Sequence, residues 1–112
     1  MKEGDAILTP IRQADGTVKN RPAIVLREMP RYHDLLVCGV STQLHQRVEG
    51  FDEIISPRDP DFAASGLLSE SLIRLAFLAV LPRKSIAGSI GTISPERHRR
   101  LLQRLSDYLM QT

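Results

Sequence analysis

The chain has 112 residues, 42% apolar and 25% charged, a balance that fits a globular domain and argues against disorder. Its length suits one compact core and is too short for two, so a single domain over residues 1–112 is expected. Aromatic residues make up only 4%, with no Trp, which disfavours an RRM-like or OB-like surface that stacks several bases.

The formal charge is +2 and is unevenly placed. Residues 1–94 carry eleven basic and eleven acidic side chains, while Arg97, Arg99, Arg100 and Arg104 face only Glu96 and Asp107 in the last segment. So small an excess steers nucleic acid weakly, and the bland reading makes these arginines the solvated face of a helix. Cys38 is the only cysteine, which excludes an internal disulfide and a Cys-rich metal site. With no charged-then-apolar leader and no apolar run of membrane-spanning length, a cytoplasmic protein with no membrane partner is expected.

In chain order, Gly4-Asp5 turns into a first strand from Ala6 to Thr9, which Pro10 is expected to stop. Residues 11–20 read as a polar loop around the Asp15-Gly16 turn signal. A second strand runs from Pro22 to Arg27, Met29-Pro30 breaks it, and a third runs from Asp34 to Val40. The third is too continuously apolar to have one wet face. Between Gly50 and Gly66 one short strand is expected around Ile54-Ile55, with Glu49, Asp52, Glu53, Asp59 and Asp61 as solvated loop charges. These carboxylates lack a metal-ligand spacing, so no metal site is expected. Leu72 to Leu81 is either two strands or one bent strand, and Ser85 to Ile93 suggests a last short strand with glycines at close backbone approaches.

Ser94-Pro95 is a helix start. The serine oxygen accepts from an otherwise unpaired amide, and proline suits the first helical position. Leu101, Leu102, Leu105, Tyr108 and Leu109 then recur at helical spacing, so one stripe faces a core and the arginines face out. The whole is mainly β with a C-terminal α-helix, a small, strongly curved antiparallel barrel flanked by that helix.

Two segments carry chemistry. Arg21-Pro22-Ala23-Ile24-Val25-Leu26 sets a guanidinium at the mouth of one apolar run, and Val37-Cys38-Gly39-Val40-Ser41-Thr42-Gln43 ends another in hydroxyls and an amide. If the runs pair antiparallel, their polar ends meet. A planar, permanent cation beside hydroxyls suits a phosphodiester. Other readings stay open: Arg21 pairing with Asp5 or Asp15, Ser41 and Thr42 as ordinary edge hydroxyls, and Arg74 either lining a groove or bracing a dimer. An unpaired charge inside an apolar run is costly, so Arg74 must find a carboxylate or water.

Gly4-Asp5, Asp15-Gly16, Arg21-Pro22-Ala23-Ile24-Val25-Leu26, Ser41-Thr42, Ser71-Leu72-Ile73-Arg74-Leu75 and Gly91-Thr92-Ile93-Ser94-Pro95-Glu96 occur in the same order as in the MazF/PemK toxins of bacterial type II toxin-antitoxin systems. The chain resembles that family over nearly its whole length. The resemblance implies an SH3-like barrel, a homodimer and a metal-independent endoribonuclease, without cofactors, that cuts single-stranded RNA. It also implies a cognate antitoxin whose disordered tail occupies the RNA groove, with DNA reached only through the toxin-antitoxin complex. The family's catalytic arginine and hydroxyl fall on Arg21 and Ser41. The chain departs from the family at Gly39, where proline is frequent, and at Ser41, where threonine is commoner.

RNA carries its own nucleophile, so cleavage needs removal of the 2′-hydroxyl proton, stabilisation of phosphoryl charge and protonation of the leaving oxygen. Arg21 fits the second task and Ser41 orients the phosphate or the hydroxyl. Thr42, Gln43 and Arg74 are candidate substrate contacts. His45, four residues beyond Ser41, is a candidate substrate contact and the alternative acid or base, since an imidazole titrates near neutrality; His33 and His98 read as exposed loop residues. The competing function is a non-catalytic nucleic-acid- or gyrase-binding module on the same barrel, or an inactive toxin relative, because a fold does not fix a site.

Overall fold

A computed structural model of the chain describes residues 1–111. Six strands, β1 (Asp5–Arg12), β2 (Val18–Glu28), β3 (Leu35–Ser41), β4 (Glu53–Ile55), β5 (Ser71–Leu81) and β6 (Gly88–Thr92), form one antiparallel sheet. Their order is β4-β5-β3-β2-β1-β6, a half-barrel with β4 and β6 at its edges. Two helices, α1 (Phe62–Ser65) and α2 (Pro95–Met110), complete the fold. Among the described residues no helix is long and apolar enough to cross a membrane.

The alternation of side chains along the strands divides the core in two. Ala6, Ile24, Leu26, Cys38, Val40, Ile73 and Leu75 face α2 and bury Leu101 and Leu105 of that helix. Each such leucine stabilises the fold by roughly 1.5 to 3 kcal/mol before entropy is counted. Ile7, Ala23, Val25, Leu35 and Val37 face the other way and form a second cluster. Burial pushes the Cys38 thiol up to about 12, so it behaves as a small apolar side chain.

Several boundaries differ from the sequence reading for identifiable reasons. Pro10 does not stop β1. The carbonyls of Gly4 and Leu8 accept from Ile93 and Ala87 on the β6 flank, and β6 pairs only through Leu8, so the missing donor of Pro10 faces an unpaired flank. The loop after β1 shrinks to a hairpin turn at Asp15-Gly16, with Gly16 at φ 88° and the Asp15 carboxylate accepting from the N–H and hydroxyl of Thr17. β5 is one bent strand. Arg74 pairs with Gly39 and Leu78 with Cys38, leaving Leu75, Ala76 and Phe77 without β3 partners. The Leu75 N–H donates instead to Asp52 Oδ1 at 2.9 Å.

At the start of α2, Ser94 Oγ accepts from the Arg97 N–H at 3.1 Å, with Pro95 in the first turn. Tyr108 and Leu109, expected on the core stripe, are exposed, the latter at 68%; the Tyr108 ring packs beside Phe51, with ring centroids 5.0 Å apart.

The expectation that the arginines of α2 all face solvent is overturned. Arg97 is buried and donates to Asp61 Oδ2 and Glu53 Oε1, both at 2.8 Å, and to Asp59 Oδ2 at 2.9 Å. Arg100 donates to Glu53 at 3.0 Å, and Arg104 lies 3.4 Å from the same carboxylate. The expected solvated loop charges Asp52, Glu53 and Asp61 are buried. A buried carboxylate needs partners: arginines of α2 supply them to Glu53 and Asp61, and the backbone N–H groups of Val48 and Leu75 supply them to Asp52. His98 is likewise not an exposed loop residue; it lies half-buried in α2 with Nε2 2.8 Å from the Leu26 carbonyl oxygen.

Candidate functional site

Register sets the site. Ala23 of β2 pairs with Gly39 of β3; Arg21 lies two residues before Ala23 and Ser41 two residues past Gly39, so each shares the face of its paired neighbour. Gly39 pairs on its other side with Arg74 of β5. Side chains directly across an antiparallel pair share a face. Arg21, Ser41 and Arg74 therefore lie on the face away from α2, at the end of the second apolar cluster.

An open cleft of about 360 Å³ occupies this surface, lined by Arg21, Ser41, Thr42, Gln43 and Arg74 among others. Five of the six side chains singled out from sequence thus border one cavity. His45 does not; it is exposed on the 3-10 turn Leu44–Gln46, and its neighbour Gln46 lines the cleft instead.

Arg21 is exposed and pairs with neither Asp5 nor Asp15. Its Nη2 donates to Gln13 Oε1 at 3.0 Å. Asp15 is engaged by Thr17, whose hydroxyl and N–H hold its carboxyl below the ordinary range. Gln13 is itself fixed by donating to the Ile11 carbonyl at 3.0 Å. Among the described residues this leaves the Arg21 charge without a carboxylate partner, aimed by a neutral amide.

Ser41 Oγ accepts from the Gln43 N–H at 3.0 Å. That bond occupies one lone pair and leaves the hydroxyl hydrogen free to donate. Arg74 is half-buried, and its Nε is buried with no hydrogen-bond partner. The cleft therefore offers two guanidiniums and a hydroxyl donor, which suits a group with several anionic oxygens.

Sequence reading missed Gln13, Gln46, Ser71 and Phe77, which also line the cleft. Gln13 continues the alternation of Ile7, Thr9 and Ile11 and was legible had the strand been carried past Pro10. Phe77 has no such signal, because the β5 bulge decides where it points. Among the described residues no three His, Cys, Asp or Glu side chains converge as metal ligands.

The family model for the PemK-like, MazF-like toxin of type II toxin-antitoxin systems matches residues 2–109 of the chain. Among solved structures, the chain is similar to the Mycobacterium tuberculosis toxin MazF-mt6, with a TM-score of 0.65 and 18% identity over 96% of this chain and 98% of that one. At that identity the likeness is one of fold. No curated protein matches the chain in sequence.

Proposed function

Because the chain belongs to the PemK/MazF toxin family of type II toxin-antitoxin systems, we propose that it is a metal-independent endoribonuclease that cuts single-stranded RNA by 2′-hydroxyl attack. It acts in the cytoplasm as a homodimer, is restrained by a cognate antitoxin, and meets DNA only within the toxin-antitoxin complex. One observation carries the reading: Arg21 and Ser41, twenty residues apart in sequence, border the same open cleft.

In this reading the scissile phosphate sits between Arg21 and Ser41. As the 2′-oxygen attacks phosphorus and gives its proton to water, the bond from phosphorus to the 5′-oxygen breaks and that oxygen takes a proton from water. Negative charge grows on the non-bridging oxygens meanwhile, and a fixed guanidinium with no competing carboxylate stabilises it. One such preorganised donor is worth about 3 to 4 kcal/mol. The Ser41 hydroxyl, its lone pair held by Gln43, donates to the same oxygens. Arg74 takes an adjacent phosphate, and Thr42 and Gln43 hold the backbone at the rim. A guanidinium keeps its proton far above neutral pH, so Arg21 acts as an electrostatic stabiliser rather than a base.

End-group analysis tests the mechanism. Purified protein incubated with single-stranded RNA and a chelator is expected to leave 2′,3′-cyclic phosphates and 5′-hydroxyls. Products ending in 3′-hydroxyls and 5′-phosphates would refute attack by the neighbouring hydroxyl.

A further inference from the structure

Phe77 is the one aromatic residue that lines the cleft, and the residue is 44% exposed. Two features of the backbone place it there. The bulge of Leu75, Ala76 and Phe77 interrupts the β3–β5 register, and bulges of this kind re-aim side chains beside sites. Gly39 then leaves room for the ring to lie against β3: a Cβ at that position would stand 3.0 Å from Phe77 Cδ1. Phe77 also lines an adjacent apolar groove of about 170 Å³, with Ala23, Val37, Ala79 and Leu81.

Resting on the ribonuclease reading above, we infer that Phe77 is a substrate-positioning residue on which one base next to the scissile phosphate stacks. The physical case is the combination. Guanidiniums of Arg21 and Arg74 hold phosphates, while a partly exposed aromatic residue lining the same cavity holds the flat, apolar part of the same nucleotide. Unstacked bases of single-stranded RNA are commonly held this way. The exposed Leu78 and Val80 beyond the ring raise the competing possibility that a second copy of this chain covers Phe77, and the test separates the two.

The probe is a set of fully 2′-fluoro RNA octamers of randomised sequence with 2-aminopurine at the fourth position. They lack the nucleophile and cannot be cut. Binding to the wild-type protein is expected to quench 2-aminopurine emission. Phe77→Ala is expected to bind roughly 5- to 150-fold more weakly without quenching, with KM for a cleavable RNA raised and kcat largely kept, and Phe77→Tyr is expected to restore both. Gly39→Ala, which displaces the ring, is expected to reproduce part of the loss. The inference is overturned if Phe77→Ala binds and quenches as wild type does, or if its main effect is a lower molecular mass in sedimentation. Cleavage by wild type without quenching overturns this inference alone. Neither cleavage nor binding by folded protein overturns the ribonuclease reading and this one with it.

Discussion

Arg74 of β5 stands directly across from Gly39 of β3 and lines the cleft, with its Nε buried and without a hydrogen-bond partner among the described residues. A buried donor without an acceptor costs about 1 to 3 kcal/mol. Arg74→Met removes that penalty and keeps the apolar stem. The variant is expected to be more stable by about 1 kcal/mol, read as a higher urea midpoint. Its RNA affinity should fall, and the slope of log affinity against log salt should drop by about 0.7, the value for one phosphate contact to a single strand. An unchanged urea midpoint and salt slope would place Arg74 outside phosphate binding.

Arg97 joins α2 to β4 and the segment after it, and breaking it leaves Asp61 buried without its side-chain partner, while Glu53 keeps Arg100. Arg97→Ala is expected to cost about 3 to 5 kcal/mol, measurable by urea unfolding. A loss below 1 kcal/mol would show that the carboxylates reach water once the guanidinium is gone.

The same clamp makes stability acid-sensitive. Burial alone would raise the Asp61 carboxyl, but the Arg97 side chain and the Ser94 N–H outweigh it and hold the group below its ordinary 3.8. A carboxyl depressed in the folded state contributes its full stabilisation above the unfolded value and loses it as pH falls through the lower folded one. Stability should therefore decline below about pH 4, and Asp61→Asn, though less stable at neutral pH, should show a flatter decline there. Equal slopes for the two proteins would remove Asp61 from the acid transition.

Gly91 packs against the Ala64 carbonyl and the Ser65 backbone so closely that a Cβ would overlap both. Neither is a flexible side-chain end, so Gly91→Ala must push α1 off β6. The expected cost is about 1 to 3 kcal/mol, seen as a lower Tm with the cleft side chains untouched. A wild-type Tm would mean that α1 shifts freely.

Where a feature depends on a local signal, sequence was enough to find it. Asp15-Gly16 encodes its turn by the positive φ that glycine tolerates, and Ser94-Pro95 encodes its cap by hydrogen bonding and ring geometry. The alternation of Arg21 with Ala23 and of Ser41 with Gly39 put both polar ends on one face, so most of the cleft was visible as soon as the two strands were paired. What stayed hidden depends on distant partners. Pro10 looks like a stop until the extent of β6 is known. Arg97 looks solvated until Asp61, thirty-six residues earlier, folds beneath it. Phe77 sits within an apolar run whose bulge is held by Asp52 from another segment, and nothing near Phe77 in the sequence announces it.

The most direct test is the single-turnover rate of Arg21→Ala on single-stranded RNA, with the fold followed by circular dichroism. Arg21 is exposed and its side chain donates to Gln13, so the variant should stay folded while its rate falls by about a thousandfold. A folded Arg21→Ala protein that cuts RNA at the wild-type rate would contradict the assignment of the cleft as the catalytic centre.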